Sequence, residues 1–288
     1  MRYEAPESEE TAVSLLAGAD GPAHVLAGGT DLLVRMRSGV TEPALVLDIK
    51  RIAGMREIRR EDGAWVIGAG VASAEVCEHA DVAAAFPGVV EALGLIGSTQ
   101  IQGRATPAGN LCNASPAADS VPAMAAVGAK ARIVGASGRR ELPVEAVPVA
   151  PGRTALAADE FVSAIVLPDP APRTVDAYLR FIPRTEMDIA VVGCGVSVSL
   201  DEAGLCTAAR VSLGAVAPTV IMVPEAAALV GTAIDDAALA ALAAACSAAA
   251  RPIDDKRGTV AFRKRVAGVL ASRAAGIARD RAKDRAKG

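Results

Sequence analysis

The stretch His24-Val25-Leu26-Ala27-Gly28-Gly29-Thr30-Asp31 reads as a short strand ending in a glycine pair, followed by a helix over residues 30–37. Two adjacent glycines let the backbone take positive φ and approach a ligand closely. Consecutive N–H groups in such a turn form an anion-binding nest, and the helix that follows adds partial positive charge at its start. The same residues also suit a plain strand-to-helix turn with Thr30 or Asp31 as N-cap, so this motif alone leaves both readings open. Before it, Ser8 N-caps a short helix carrying Val13, Leu15 and Leu16. After it, residues 44–49 are apolar enough for a buried parallel strand, which completes a βαβ unit over residues 1–55.

A second unit spans residues 56–172. Strands are expected at 65–69, 131–135, 161–167 and, shorter, 154–157. Ser73 is read as the cap of a helix running to His79, with further helices at 86–96 and 120–127. Residues 97–116 read as a loop rich in Gly, Pro and Asn, too long for a plain connection. Within it, Thr106, Asn110, Asn113 and Ser115 offer small polar groups, and Gly109 permits close backbone approach. This pattern favours a phosphate or a ribityl chain. Asp119 precedes Ser120-Val121-Pro122, where it serves either as an N-cap or as a ligand group.

Pro168-Asp169-Pro170-Ala171-Pro172 punctuates the chain and marks a boundary. Residues 173–288 then read as three strands (177–182, 190–200, 208–214) followed by helices at 224–230, 237–250 and 260–282, an α+β unit. The mixed-charge end, residues 279–287, is expected to fray.

Composition excludes several classes. The 288 residues carry 30 Lys and Arg against 33 Asp and Glu, without the basic excess that neutralises phosphates on a nucleic acid. Seven aromatic residues are too few for base-stacking platforms. No apolar run spans a membrane, and Met1-Arg2-Tyr3-Glu4-Ala5-Pro6-Glu7 lacks a secretory core, so the cytoplasm is expected. The five cysteines and two histidines are scattered, against a metal site held by this chain. Gly68-Ala69-Gly70-Val71-Ala72-Ser73 nearly spells a dinucleotide fingerprint, but its sixth residue is Ser and no acid follows about 20 residues on. No Gly-x-Ser-x-Gly elbow occurs, and His24 and His79 are read as structural or surface residues. A phosphate cradle without its own acid–base groups implies that a bound cofactor carries the chemistry, with no catalytic side chain on this chain.

Four ordered landmarks carry a resemblance. They are Ala27-Gly28-Gly29-Thr30-Asp31; Thr106-x-x-Gly109-Asn110 with Asn113-Ala114-Ser115-Pro116-Ala117-Ala118-Asp119; Arg184-x-x-Met187-Asp188-Ile189-Ala190-Val191-Val192; and Arg251-Pro252-x-Asp254-Asp255-Lys256-Arg257-Gly258 with Phe262-Arg263. Together they resemble the FAD-binding medium subunit of the molybdenum hydroxylases, the group of xanthine dehydrogenase and aerobic carbon monoxide dehydrogenase.

The resemblance implies an α+β chain: a two-subdomain FAD-binding fold of the vanillyl-alcohol-oxidase (PCMH) type, then a C-terminal domain with a three-stranded sheet and helices. It implies FAD on this chain, and it implies partners: a large molybdopterin-binding subunit carrying the molybdopterin cofactor and a small subunit with two [2Fe–2S] clusters, as a dimer of heterotrimers. Electrons pass from those clusters through FAD to an external acceptor. In that picture Val25, Leu26, Ala27, Gly28, Gly29, Thr30, Asp31 and Leu32 wrap the pyrophosphate. Thr106, Ala108, Gly109 and Asn110 form the second wall, and Asp119 holds the ribityl or adenosine side. Ile96 and Val162 lie near the rings, and Arg180 stands by the flavin, where a cation stabilises its reduced anion. Pro107-Ala108 replaces the family's aliphatic-Gly pair, and Pro107 removes an N–H. Gly-Gly-Thr-Asp stands where carbon monoxide dehydrogenases more often show Gly-Gly-His-Ser, which leans away from CO as substrate. A self-sufficient flavin oxidase and a scaffold that has lost FAD are the rival readings.

Overall fold

The computed structural model describes residues 1–285 and contains three main sheets. The first holds β1 (Arg2–Glu4), β2 (Ala23–Leu26) and β3 (Leu45–Asp48) in the order β1-β3-β2, all parallel. α1 (Glu9–Ala17) and α2 (Leu32–Arg37) connect them. Ser8 caps α1 as expected, its hydroxyl accepting the Thr11 N–H at 3.2 Å. β1 was not expected. It is three residues long and mostly exposed, and it pairs through its main chain, which leaves little pattern in the side chains.

The second sheet is antiparallel, in the order β4-β5-β10-β6-β7, built from β4 (Ile58–Glu61), β5 (Ala64–Gly68), β6 (Lys130–Gly135), β7 (Gly138–Pro143) and β10 (Phe161–Pro168). β10 sits at the centre and is buried on both faces from Phe161 to Leu167, which explains its unbroken apolar run. β4 and β7 escaped the sequence reading because they are edges. Ile-Arg-Arg-Glu and Gly-Arg-Arg-Glu-Leu-Pro put charges where a buried strand would carry aliphatic residues. A small hairpin, β8 (Pro148–Ala150) with β9 (Arg153–Thr154), replaces the strand expected at 154–157.

Helices α3 (Ser73–Glu78), α4 (Ala80–Ala85), α5 (Pro87–Gly94), α6 (Thr99–Gln102), α7 (Pro107–Cys112) and α8 (Ser120–Ala126) join these strands. Two expectations need correction here. Ser73 is the first helical residue rather than the cap of α3, and its buried hydroxyl has no hydrogen-bond partner. The stretch 97–116 is not one loop but holds α6 and α7. Thr106 caps α7, its hydroxyl accepting the Gly109 N–H at 2.9 Å, and Pro107 takes the first helical position, where its missing N–H costs nothing.

The third sheet runs β11 (Thr174–Phe181), β12 (Val192–Leu200), β13 (Cys206–Gly214), β14 (Ile221–Met222), all antiparallel. The two-residue β14 makes it four-stranded rather than three-stranded. One face packs on α9 (Asp236–Ala249) and α10 (Val260–Arg285). α10 presents Ala267, Ala271, Ala274, Ala275, Ala278 and Ala282, all fully buried, so the helix lies close against the strands. The C-terminal segment is ordered through Arg285 rather than frayed: Arg285 Nη1 donates to the Thr174 carbonyl at 2.9 Å and its Nη2 reaches the Ala84 carbonyl. The rest of the expected fraying segment, residues 286–287, lies outside the described residues.

The other face of the third sheet docks on the second unit. Glycine at 195 is required there, because an added Cβ would lie 2.4 Å from the Pro122 carbonyl oxygen. Arg210 donates to the Ala125 and Ala126 carbonyls at the end of α8, at 3.0 and 3.2 Å. Asp176 Oδ2 accepts the Val89 N–H at the start of α5 at 2.9 Å, and Arg281 on α10 pairs with Glu91 on the same helix.

Candidate functional site

A cleft of about 330 Å³ opens between the first sheet and the second. One wall is the turn after β2, where Gly29 takes φ +80° and residues Ala27 to Leu32 line the opening. The other wall is the start of α7, with Ala105, Thr106, Ala108, Gly109 and Asn110. These walls touch main chain to main chain: an added Cβ at Gly28 would lie 2.0 Å from the Arg104 carbonyl oxygen. Glycine is therefore enforced by the facing loop as well as by the turn.

The first turn is held from outside the cleft. Lys50 Nζ donates to the Ala27 carbonyl at 3.0 Å and pairs with Asp48 at 2.7 Å, while the Tyr3 hydroxyl donates to the same carboxylate at 2.8 Å. Ala69, Ile96 and Val162 supply an apolar lining, and Phe161 lies beside them.

Of the residues singled out in the sequence, Val25, Ala27 to Leu32, Ile96, Thr106, Ala108, Gly109, Asn110 and Val162 all line this cleft. Leu26 does not; it packs under the turn, with its Cδ1 2.9 Å from where a Gly29 Cβ would stand. Asp119 and Arg180 are also outside the lining. Their side chains are 9% and 5% exposed and form an ion pair at 2.8 Å. The Tyr178 hydroxyl donates to the other Asp119 oxygen at 2.8 Å, so this carboxylate joins the second unit to β11. It occupies the N-cap position of α8 but makes no capping bond. Burial pushes its carboxyl up, while Arg180 and Tyr178 pull it down.

Sequence reasoning missed His24, Arg35 and Glu160 as lining residues, whereas Asn113, one of the polar groups expected on the second loop, does line the cleft. Arg35 stands one helical turn after Asp31, a spacing that places both on one face. Burial and then the nearby Arg35 guanidinium lower the His24 pKa. Glu160 carried no local signal; its carboxylate is neutralised by Arg140 at 2.7 Å. Gly68 and Gly70, the false fingerprint, pack against the Met55 backbone, and neither lines the cleft. Among the described residues no group of three or more His, Cys, Asp and Glu is placed to hold a metal ion. No helix among them is long and apolar enough to cross a membrane.

The donor set fits FAD. Main-chain amides without Cβ atoms suit a diphosphate, small Thr and Asn groups suit a polyol, and an apolar lining suits flat rings. Residues 1–170 match the profile of the FAD binding domain in molybdopterin dehydrogenase, and residues 177–278 match the CO dehydrogenase flavoprotein C-terminal domain. The carbon monoxide dehydrogenase medium chain of Hydrogenophaga pseudoflava is 32% identical over 275 residues, 95% of each chain. The nicotinate dehydrogenase FAD-subunit of Eubacterium barkeri is 30% identical over 220 residues, 75% of this chain and 74% of that one. In structure, the chain superimposes on its counterpart in carbon monoxide dehydrogenase from Hydrogenophaga pseudoflava with a TM-score of 0.92, at 33% identity and 98% coverage of both. Two glycine-lined walls, a C-terminal domain of sheet and helices docked on the second unit, and these matches along the chain lead to one conclusion: the chain belongs to the FAD-binding medium subunits of the molybdenum hydroxylases and is an oxidoreductase subunit.

Proposed function

We propose that this chain holds FAD between its two glycine-lined walls and passes electrons from the [2Fe–2S] clusters of a small partner subunit to an external acceptor. A large molybdopterin-binding subunit carries the substrate in this reading, and the trimers pair in the cytoplasm. The observation that carries it is the contact of Gly28 with the Arg104 carbonyl, which makes one cleft of two loops distant in sequence. When bound, FAD supplies the exchange between one-electron and two-electron redox chemistry that such a relay needs.

The residues of this chain bind and orient. Lys50 fixes the Ala27 carbonyl on the outer side of the turn, and in a planar trans peptide the Gly28 N–H then points the opposite way. Thr106 and Gly109 hold the second wall in helical form. Ile96, Phe161 and Val162 exclude water from the apolar part of the cleft. No acid or base on this chain is asked to move a proton.

Relatives named for carbon monoxide and for nicotinate share this frame, which supports a substrate site on another chain. Purification of the chain with its natural partners tests the whole reading. A yellow complex containing both subunits, with flavin reduced only when they are present, is the expected result. A colourless chain would leave the scaffold reading, and reduction of the isolated chain by a small organic substrate would leave the oxidase reading.

A further inference from the structure

Asn110 stands on the cleft wall, half-buried, and its side chain is oriented from behind. The Ser120 hydroxyl donates to Asn110 Oδ1 at 2.6 Å, and the Ser120 main-chain N–H donates to the same atom at 3.3 Å. A main-chain N–H can only donate, so this pair of bonds decides which end of the amide is oxygen. The Asn110 Nδ2 group makes no hydrogen bond within the protein among the described residues. It is left as a donor at the cleft.

Ser120 is fully buried and opens α8. Its neighbour Asp119 is tied to Tyr178 and Arg180 of β11, so the C-terminal domain braces the residue that turns the amide. Nothing in the local sequence marks this serine. A buried hydroxyl that only stabilised α8 would not need to meet a side chain ten positions earlier.

We infer that Ser120 is a positioning residue for the cofactor: it holds Asn110 so that the cleft offers an N–H donor, matched to an acceptor oxygen of FAD. The inference rests on the reading of the cleft as an FAD site and specifies the polarity of one of its contacts. It excludes a ligand group that presents only donors at that wall.

The test is titration of the flavin-stripped full chain with FAD, followed by quenching of flavin fluorescence. Ser120→Ala is expected to weaken binding about tenfold, the scale of one buried hydrogen bond left unmade. Asn110→Ala should weaken it similarly, and the double variant should be no weaker than Asn110→Ala alone. Independent, multiplying losses would overturn the inference. Asn110→Asp keeps the acceptor that Ser120 needs but turns the donor into an anionic oxygen, and it leaves the buried serine untouched. It should bind worse than Asn110→Ala at pH 8 and recover as the pH falls and the new carboxyl takes up a proton. A fold defect has no reason to follow that profile. Wild-type affinity of Asn110→Asp at pH 8, or a flat profile, would overturn the inference while leaving the FAD site standing. A wild-type chain that takes up no FAD would overturn the underlying reading instead.

Discussion

Gly28 and Arg180 show how far a residue's neighbours decide its role. Gly28→Ala places a methyl group 2.0 Å from the Arg104 carbonyl, and the clash involves two main chains that cannot rotate away. Separating the walls costs about 1–3 kcal/mol by the usual scale of overpacking, so the purified variant should lose most of its flavin absorbance at 450 nm while keeping its fold. The family resemblance implies a place for Arg180 by the flavin, and in the structure Asp119 holds it at 2.8 Å in a buried pair. Arg180→Leu strands that carboxylate and should destabilise the chain by about 3–5 kcal/mol in chemical denaturation. Adding Asp119→Asn removes the stranded charge, keeps an acceptor for the Tyr178 hydroxyl, and should recover part of the loss.

Short elements account for most of what the sequence concealed. α7 is six residues long, so it has no room for an amphipathic repeat, and only its start is marked, by Thr106-Pro107. Pro107-Ala108 is the departure from the family pattern, and Pro107 lacks an N–H; at the first helical position no N–H is needed. Thr106→Ala removes the cap bond to Gly109 and should cost about 1 kcal/mol of local stability, read as several-fold weaker FAD binding, whereas Thr106→Ser should retain it. The arginine-rich edges β4 and β7 were hidden for a different reason: their strand character comes from the neighbour they pair with, not from burial of their own side chains.

Over the whole molecule, the docking of the C-terminal sheet on α5 is expected to respond to pH through Asp176. Burial raises the Asp176 carboxyl from 3.8 to about 7, the Gly88 and Val89 amides pull it down, and Glu91 on α5 adds to the rise; Arg281 of α10 binds the Asp176 carbonyl and Glu91. Because the folded pKa lies above the unfolded one, the folded chain keeps a proton that the unfolded chain has lost between about pH 4 and pH 7. Stability from this group is therefore highest in acid and falls as the pH rises through 7. Asp176→Asn should lose less stability than wild type between pH 5 and pH 8 in denaturation curves; equal losses would assign the pH dependence to other groups.

The sequence alone determined the buried strands, the helix that Ser8 caps, the glycine turn and the order of the four landmarks, because each is written in residues that are near neighbours in the chain. Apolar runs, caps and paired glycines act over a few positions, so their physics is local. Only the tertiary structure decided that the Gly28 turn meets Arg104, that Asp119 spends its charge on Arg180, and that Ser120 turns the amide of Asn110. Those outcomes depend on burial and register between segments far apart in sequence. No local pattern encodes which partner a polar group will find once water is gone.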